Sequence, residues 1–205
     1  MLIDHIFIFS DNNGIEANEL AAFGLTEGSS RVHSGQGTVN RKFYFNNFFL
    51  EILWINNLKE ISSDRMKGTK LLDRAEFKQN NVCPFGLCLV NEPLTDELFA
   101  NAYAYYPAYF PNEMAIDVLA NVDTPSLPWT FRLPFKGVSR KADEPRNHKT
   151  NLQNLTKAIF SFSNVLKNNA YLEQFKNEGQ IIFQHSDRNH LTLEFDDCIS
   201  GEVIS

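Results

Sequence analysis

The sequence predicts an α+β domain built from paired βαβββ modules. Three observations carry that expectation. Leu2 to Ser10 reads closely against Leu155 to Ser163, about 150 residues later, and both stretches place apolar residues at period two. Each leads into a Leu/Ala/Phe-bearing helical stretch closed by a glycine, Gly24 in the first copy and Gly179 in the second. The first 55 residues also contain three further strand patterns. A chain that uses one supersecondary unit twice usually forms a pseudo-symmetric fold with a ligand site where the halves face each other. The copies differ at one telling place: His5 in the first stands against Ala158 in the second.

Residues 2 to 9 form the first strand, and Asp11-Asn12-Asn13-Gly14 is a turn cluster able to cap a helix after it. Ile15, Leu20, Ala21 and Phe23 mark that short helix. Strands come next over Ser29–His33, Thr38–Phe45 and Phe48–Ile55, with Asn46-Asn47 turning the chain between the last two. Lys59 to Lys78 reads as one or two charged surface helices, and Pro84 to Val90 as an apolar strand. Tyr103 to Pro111 reads as a loop packed by its own aromatics, with a lid as the functional alternative. Met114–Leu119 and Trp129–Leu133 are strands. The polar stretch Gly137 to Thr150 reads as a mobile connection. The second copy brings a strand at Leu155–Phe162, a helix near Val165–Lys176 and strands at Ile181–Gln184 and Leu191–Phe195, with the tail after Gly201 short for one more. This divides a single domain, 1–205, into module one (1–56), a connecting helix with extra strands (57–150) and module two (151–205). An alternative alignment starts the second module at Pro84-Phe85-Gly86-Leu87-Cys88-Leu89.

Composition excludes several functions. A formal net charge of −6, with the 19 Lys and Arg scattered, argues against nucleic acid. No run of 18 apolar residues is present, so no membrane span is expected. Three cysteines without CxxC spacing fit reduced thiols, and the strand pattern at residue 2 lacks the basic leader of a signal peptide; both point to a cytoplasmic protein. The 18 phenylalanines imply a thick aromatic core or an aromatic-lined cavity.

The strand opening Asp4-His5-Ile6, the closing run Phe49-Leu50-Glu51-Ile52-Leu53-Trp54 and the stretch Arg31 to Arg41 between them resemble the vicinal-oxygen-chelate superfamily. That superfamily includes glyoxalase I, extradiol dioxygenases and bleomycin-resistance proteins; the narrower likeness is to glyoxalase-like-domain proteins. The resemblance implies a curved mixed sheet half enclosing a central cavity, with one metal ligand from the first strand of a module and another from the last. It nominates His5 and Glu51, with Glu194 of Leu191-Thr192-Leu193-Glu194 as a third ligand, for a divalent ion (Fe, Mn, Ni or Zn). It also implies a small-molecule ligand and a monomer or homodimer.

Strand geometry bears on the same residues independently. Period two puts His5 on a face with Ile3, Phe7 and Phe9, and Glu51 with Phe49 and Leu53. An ionised Glu on an apolar strand face needs a partner or a cation. His5 as a core histidine bonded to Glu51, and Glu51 as a simple partner of Arg41, are the structural alternatives. Functionally, Glu51 is the expected base or ligand, His5 the ligand or orienting group, and Arg41 with Asn40 the anchor for a carboxylate or enolate oxygen, with Phe7 and Phe49 lining the cavity. Gly35 and Gly37 form either a plain hairpin or a loop that lets backbone N–H groups approach an anion. The expected function is a small-molecule-binding protein of the glyoxalase-like class, acting as a metal-assisted lyase, isomerase or dioxygenase-type enzyme on a carbonyl- or carboxylate-bearing metabolite. The alternative is metal-free sequestration of the bleomycin-resistance type, favoured by the missing second histidine.

Overall fold

Phe, Ile, Leu and Val dominate the segments that become strands, and their alternation gives most strands two differently used faces. The computed structural model describes residues 1–111, 113–137, 143–163, 169–196 and 199–204. The first unit is β1 (Ile3–Phe9), α1 (Glu16–Phe23), β2 (Arg31–His33), β3 (Thr38–Tyr44) and β4 (Phe49–Ile55). Four short helices come after it, α2 (Leu58–Ile61), α3 (Asp64–Lys67), α4 (Leu71–Ala75) and α5 (Phe77–Asn80), where one or two were expected. Lys70 and Asn81 adopt left-handed backbone around α4 and α5 and break the run into single turns. Next come β5 (Phe85–Asn91), a 3₁₀ turn at Pro93–Thr95, β6 (Tyr103–Tyr105), β7 (Ile116–Leu119) and β8 (Trp129–Lys136). The remainder is β9 (Leu155–Phe162), α6 (Ala170–Glu173), β10 (Ile181–His185), β11 (His190–Phe195) and β12 (Ile199–Ile204).

The chain is mixed α+β, mostly strand, around a curled half-barrel sheet of eight strands in the order β2-β3-β4-β1-β5-β8-β7-β6. In both halves the first strand lies parallel to the last, β1 with β4 and β5 with β8, and β1 joins β5 antiparallel. The segment read as module two, 151–205, is not part of this sheet. It forms a second sheet of four strands in the order β10-β9-β11-β12. The reason is packing. Leu155, Ala158, Phe160, Leu191, Leu193 and Phe195 form an apolar face that shares one core with Ile6, Ile8, Leu50, Ile52 and Leu87 on the back of the large sheet. A sheet with such a face gains more by covering another sheet's back than by extending its edge. The strands expected as extras between modules, 84–133, therefore complete the half-barrel. The predicted helix 165–176 is described only from residue 169, and its start lies outside the described residues.

A second core fills the concave side, where Phe7, Phe9, Leu53, Cys88, Trp129 and Phe131 meet Ile61, Met66, Leu71 and Phe77 of the short helices. Arg74 of α4 is 1 % exposed and stitches this layer together. Its guanidinium donates to the carbonyls of Cys83 (3.1 Å), Pro125 (2.9 Å), Leu127 (2.6 Å) and Ala120 (2.6 Å). Among the described residues no helix is long and apolar enough to cross a membrane.

Residues 143–150, expected to be mobile, are bolted to the sheet. Thr26 N–H donates to His148 Nδ1 at 2.9 Å, and His148 Nε2 lies 3.0 Å from the Tyr44 carbonyl. Since Nδ1 accepts, the proton sits on Nε2 and the ring is neutral. Burial, partly opposed by the Tyr44 carbonyl, holds its pKa below the ordinary value. A folded-state pKa below the unfolded one means this contribution is complete above about pH 6.5 and is lost as pH falls. The urea midpoint is expected to drop between pH 7 and pH 5, and to drop less in His148→Gln. An equal drop in both proteins would rule out this role.

Candidate functional site

The curl of the large sheet leaves a cavity of about 250 Å³ on its concave side, lined by Asp4, His5, Phe7, Asn40, Lys42, Phe49 and Glu51 together with Trp129, Phe131 and Tyr109. Strand registry explains which residues meet. β3 pairs with β4 so that Lys42 faces Glu51 and Asn40 faces Leu53, and β4 pairs with β1 so that Glu51 faces Phe7 and Phe49 faces His5. His5 and Glu51 are diagonal neighbours on adjacent strands, with His5 Nε2 3.7 Å from Glu51 Oε2. Both are buried, at 6 % and 5 % exposure.

Asp4 was not expected in the cavity, because strict alternation turns it away from His5. A bulge changes that. Ile3 pairs with Leu89 and His5 with Cys88, so two steps along β1 oppose one step along β5. The extra residue is Asp4, whose Oδ1 reaches His5 Nδ1 at 2.5 Å. The same bulge moves Ile3 off the face of His5 and into the core behind the sheet, with Ile6 and Ile8. His5 thus gives Nδ1–H to Asp4 and turns Nε2 towards Glu51, an arrangement that sets which ring nitrogen meets a ligand. Its ring stacks on Phe49 at 4.3 Å and 11°, with Phe131 edge-on at 5.2 Å.

Glu51 is held from its other oxygen by the Asn40 amide, which donates to Oε1. Asn40 can only point that way because its Oδ1 accepts the Arg31 N–H at 2.7 Å. A chain of polar groups continues to the rim: His33 Nε2 lies 3.5 Å from Asn40 Nδ2, His33 Nδ1 3.0 Å from Thr38 Oγ1, and Gln36 donates to that oxygen at 2.8 Å. Tyr109 O–H donates to Gln36 Oε1 at 2.8 Å. Burial lowers the pKa of His33, against the pull of Glu51, so this imidazole is neutral at pH 7. Burial likewise raises the Tyr44 hydroxyl to about 12. Tyr109 belongs to the segment after β6, the far edge of the sheet, yet it touches the β2–β3 hairpin on the opposite edge. The aromatic loop thereby bridges the open side of the half-barrel.

Two nominated residues lie elsewhere. Arg41 shares its strand with Asn40 and Lys42 but has the opposite parity: it pairs with Ile52 and points outward to Glu27 and Asn18. Lys42 takes the inward place. Glu194 sits on β11 of the small sheet, ion-paired with Lys157 at 2.8 Å. The Gly35–Gly37 loop does not offer N–H groups to a ligand. Gly35 N–H donates to Glu60 Oε2 at 2.5 Å, and Gly37 lies so close to the next segment that a Cβ there would sit 2.4 Å from the Asn57 carbonyl.

The metal-ligand set that the resemblance implies can be tested against these residues. Strand register locates the matching positions on β5 and β8: Gly86 precedes the Ile6–Leu87 pair on β5 as His5 does on β1, and Phe131 pairs with Cys88 as Glu51 does with Phe7. Neither ligates. A Cβ at Gly86 would lie 2.0 Å from the Phe7 ring, so Phe7 fills the place a second ligand would need. Asp4, His5 and Cys88 also lie together, but the short Asp4–His5 contact leaves no gap for an ion, and burial pushes the Cys88 thiol well above its ordinary pKa. Two ligands, each with another partner, do not fit a catalytic divalent ion. Gly86→Ala is expected to force the Phe7 ring against Trp129 and Phe131 and to cost about 1–3 kcal/mol, with partial recovery in Gly86→Ala/Phe7→Leu. Chemical denaturation of the two variants checks this.

No described protein family matches the sequence, and no curated protein does. Among solved structures, a hypothetical protein from Staphylococcus aureus matches with a TM-score of 0.53 and 13% identity, over 91% of this chain and 87% of that one. At that identity the likeness shows the fold alone. A hypothetical protein from Bacillus halodurans C-125 aligns with a TM-score of 0.38 and 12% identity over 68% of this chain and 97% of that one, too low a score to carry an argument.

Proposed function

We propose that the chain is a small-molecule-binding protein of the glyoxalase-like class, built on two paired βαβββ-type halves (1–56 and 84–136), that moves a proton next to a carbonyl or carboxylate group without a metal. The observation that carries this reading is the Asp4–His5–Glu51 array in an aromatic cavity. One imidazole nitrogen is tied to a carboxylate and the other faces a second, buried carboxylate at 3.7 Å. Glu51 is the base that takes the proton from the ligand carbon, and His5 Nε2, bare because Nδ1 carries the ring proton, takes that proton on from Glu51 and returns it. Asn40 holds Glu51 in place, Lys42 stands opposite it in the strand register, and the rings exclude water. With Asn40, Phe7 and Phe49 at the cavity wall, the anchoring role expected of Arg41 passes to residues of inward parity.

The test is solvent deuterium uptake by a panel of 2-oxo and 3-oxo acids, followed by proton NMR with and without chelator. Exchange is expected to be accelerated by the protein, indifferent to chelator, and at least about tenfold slower in Glu51→Gln. A second reading, metal-free sequestration, is favoured by the aromatic lining. Ligand binding with no exchange in the wild type, or exchange unaffected by Glu51→Gln, would replace the first reading by the second.

A further inference from the structure

Resting on the reading of this cavity as a ligand site, we infer that its ligand is a planar aromatic or conjugated acid whose anionic group pairs with Arg31 at the rim. The charges of the lining argue for an anion. Both carboxylates inside are engaged, Asp4 by His5 and Glu51 by Asn40. Arg31 is different. Its guanidinium lies over the Tyr109 ring, 4.8 Å from the centroid, and among the described residues no carboxylate forms an ion pair with it. A guanidinium resting on a ring face keeps its in-plane N–H donors free for a bidentate acid. The neighbouring His33 is neutral at pH 7, so it neither competes for the anion nor repels Arg31.

The shape of the lining argues for a flat ligand. The His5 and Phe49 rings stack face to face, 11° apart, with Tyr44 5.1 Å beyond Phe49, so this stack offers the cavity ring edges. Phe131 meets His5 edge-on at 5.2 Å, and Trp129 is tilted against Phe131 with centroids 4.7 Å apart. Aromatic groups favour such offset and edge contacts over aliphatic ones of equal size. Arg31 on β2 and Glu51 on β4 lie two strands apart, with Asn40 of β3 between them. An aromatic acid held by Arg31 at the rim turns its far end, with the carbonyl next to which the proton is moved, towards Glu51 and His5.

Three probes separate the components in isothermal titration calorimetry: 4-hydroxycinnamate (flat, anionic), 3-cyclohexylpropanoate (anionic, not flat) and 4-hydroxycinnamyl alcohol (flat, neutral). The first is expected to saturate the protein, and the other two to bind at least about tenfold more weakly. Arg31→Gln is expected to weaken the first about tenfold, the loss of one charge-assisted bidentate contact, and to leave the alcohol within about twofold. Arg31 is exposed, so the variant folds, and circular dichroism verifies it. Equal binding of the cyclohexyl acid overturns the planar requirement, and indifference to Arg31→Gln overturns the anchor. Failure of all three probes overturns the inference even if Glu51-dependent exchange is observed. The expected pattern without such exchange upholds it and removes only the proton-transfer reading.

Discussion

Arg74→Met is expected to destabilise the protein by about 3–5 kcal/mol, the largest single-residue effect outside the aromatic core. The guanidinium is buried and gives hydrogen bonds to four carbonyls from three separate pieces of chain: Ala120, the Pro125–Leu127 turn and Cys83 before β5. Methionine fills most of the volume but leaves those carbonyls without donors in a dry interior, where each unmet group costs about 1–3 kcal/mol. The short helices carry few hydrogen bonds of their own, so they depend on this stitch to cover the concave face. Arg74→Lys is expected to recover only part of the loss, because an ammonium cannot reach four acceptors arranged around a planar fork. Urea denaturation at pH 7 reads both. A loss below about 1 kcal/mol for Arg74→Met would show that the loops hold together without it.

Asp4→Asn is expected to slow ligand proton exchange by about 10²- to 10³-fold while changing stability by less than about 1 kcal/mol. Asp4 touches no ligand in the proposed chemistry. It is a positioning residue that keeps the His5 proton on Nδ1 and so leaves Nε2 turned to Glu51. An asparagine amide donating to Nδ1 reverses that order and moves the proton to Nε2. The readout is the ¹⁵N chemical shift of the His5 ring, which is expected to exchange its two nitrogen signatures in the variant. An unchanged tautomer together with wild-type exchange would remove Asp4 from the mechanism.

The parts of this site that could be read from the chain are those set by local geometry. His5, Phe7 and Phe9 share a face because alternation along an uninterrupted strand is a property of the backbone itself, and the same holds for Phe49, Glu51 and Leu53. Gly24 closes α1 in the left-handed conformation for an equally local reason. Asp4 was hidden because a bulge depends on how β1 meets β5, and nothing within Ile3–Phe9 announces it. Arg41 and Lys42 are adjacent cations of opposite parity, and only the pairing of β3 with β4 chooses between them. The like-looking openings at residues 2 and 155 are both strands, but similarity of strands does not select their partners.

Strand identity and face periodicity were therefore determined by the amino-acid order, since each depends on neighbours a few residues away. The tertiary structure alone decided that residues 85–136 complete the half-barrel, that 155–195 cover its back, that Asp4 turns inward, that Gly86 cedes its place to Phe7 and that His148 is a buried bolt. These outcomes depend on which apolar faces find one another across long stretches of chain, and that competition is settled by the area each pairing removes from water rather than by any local pattern.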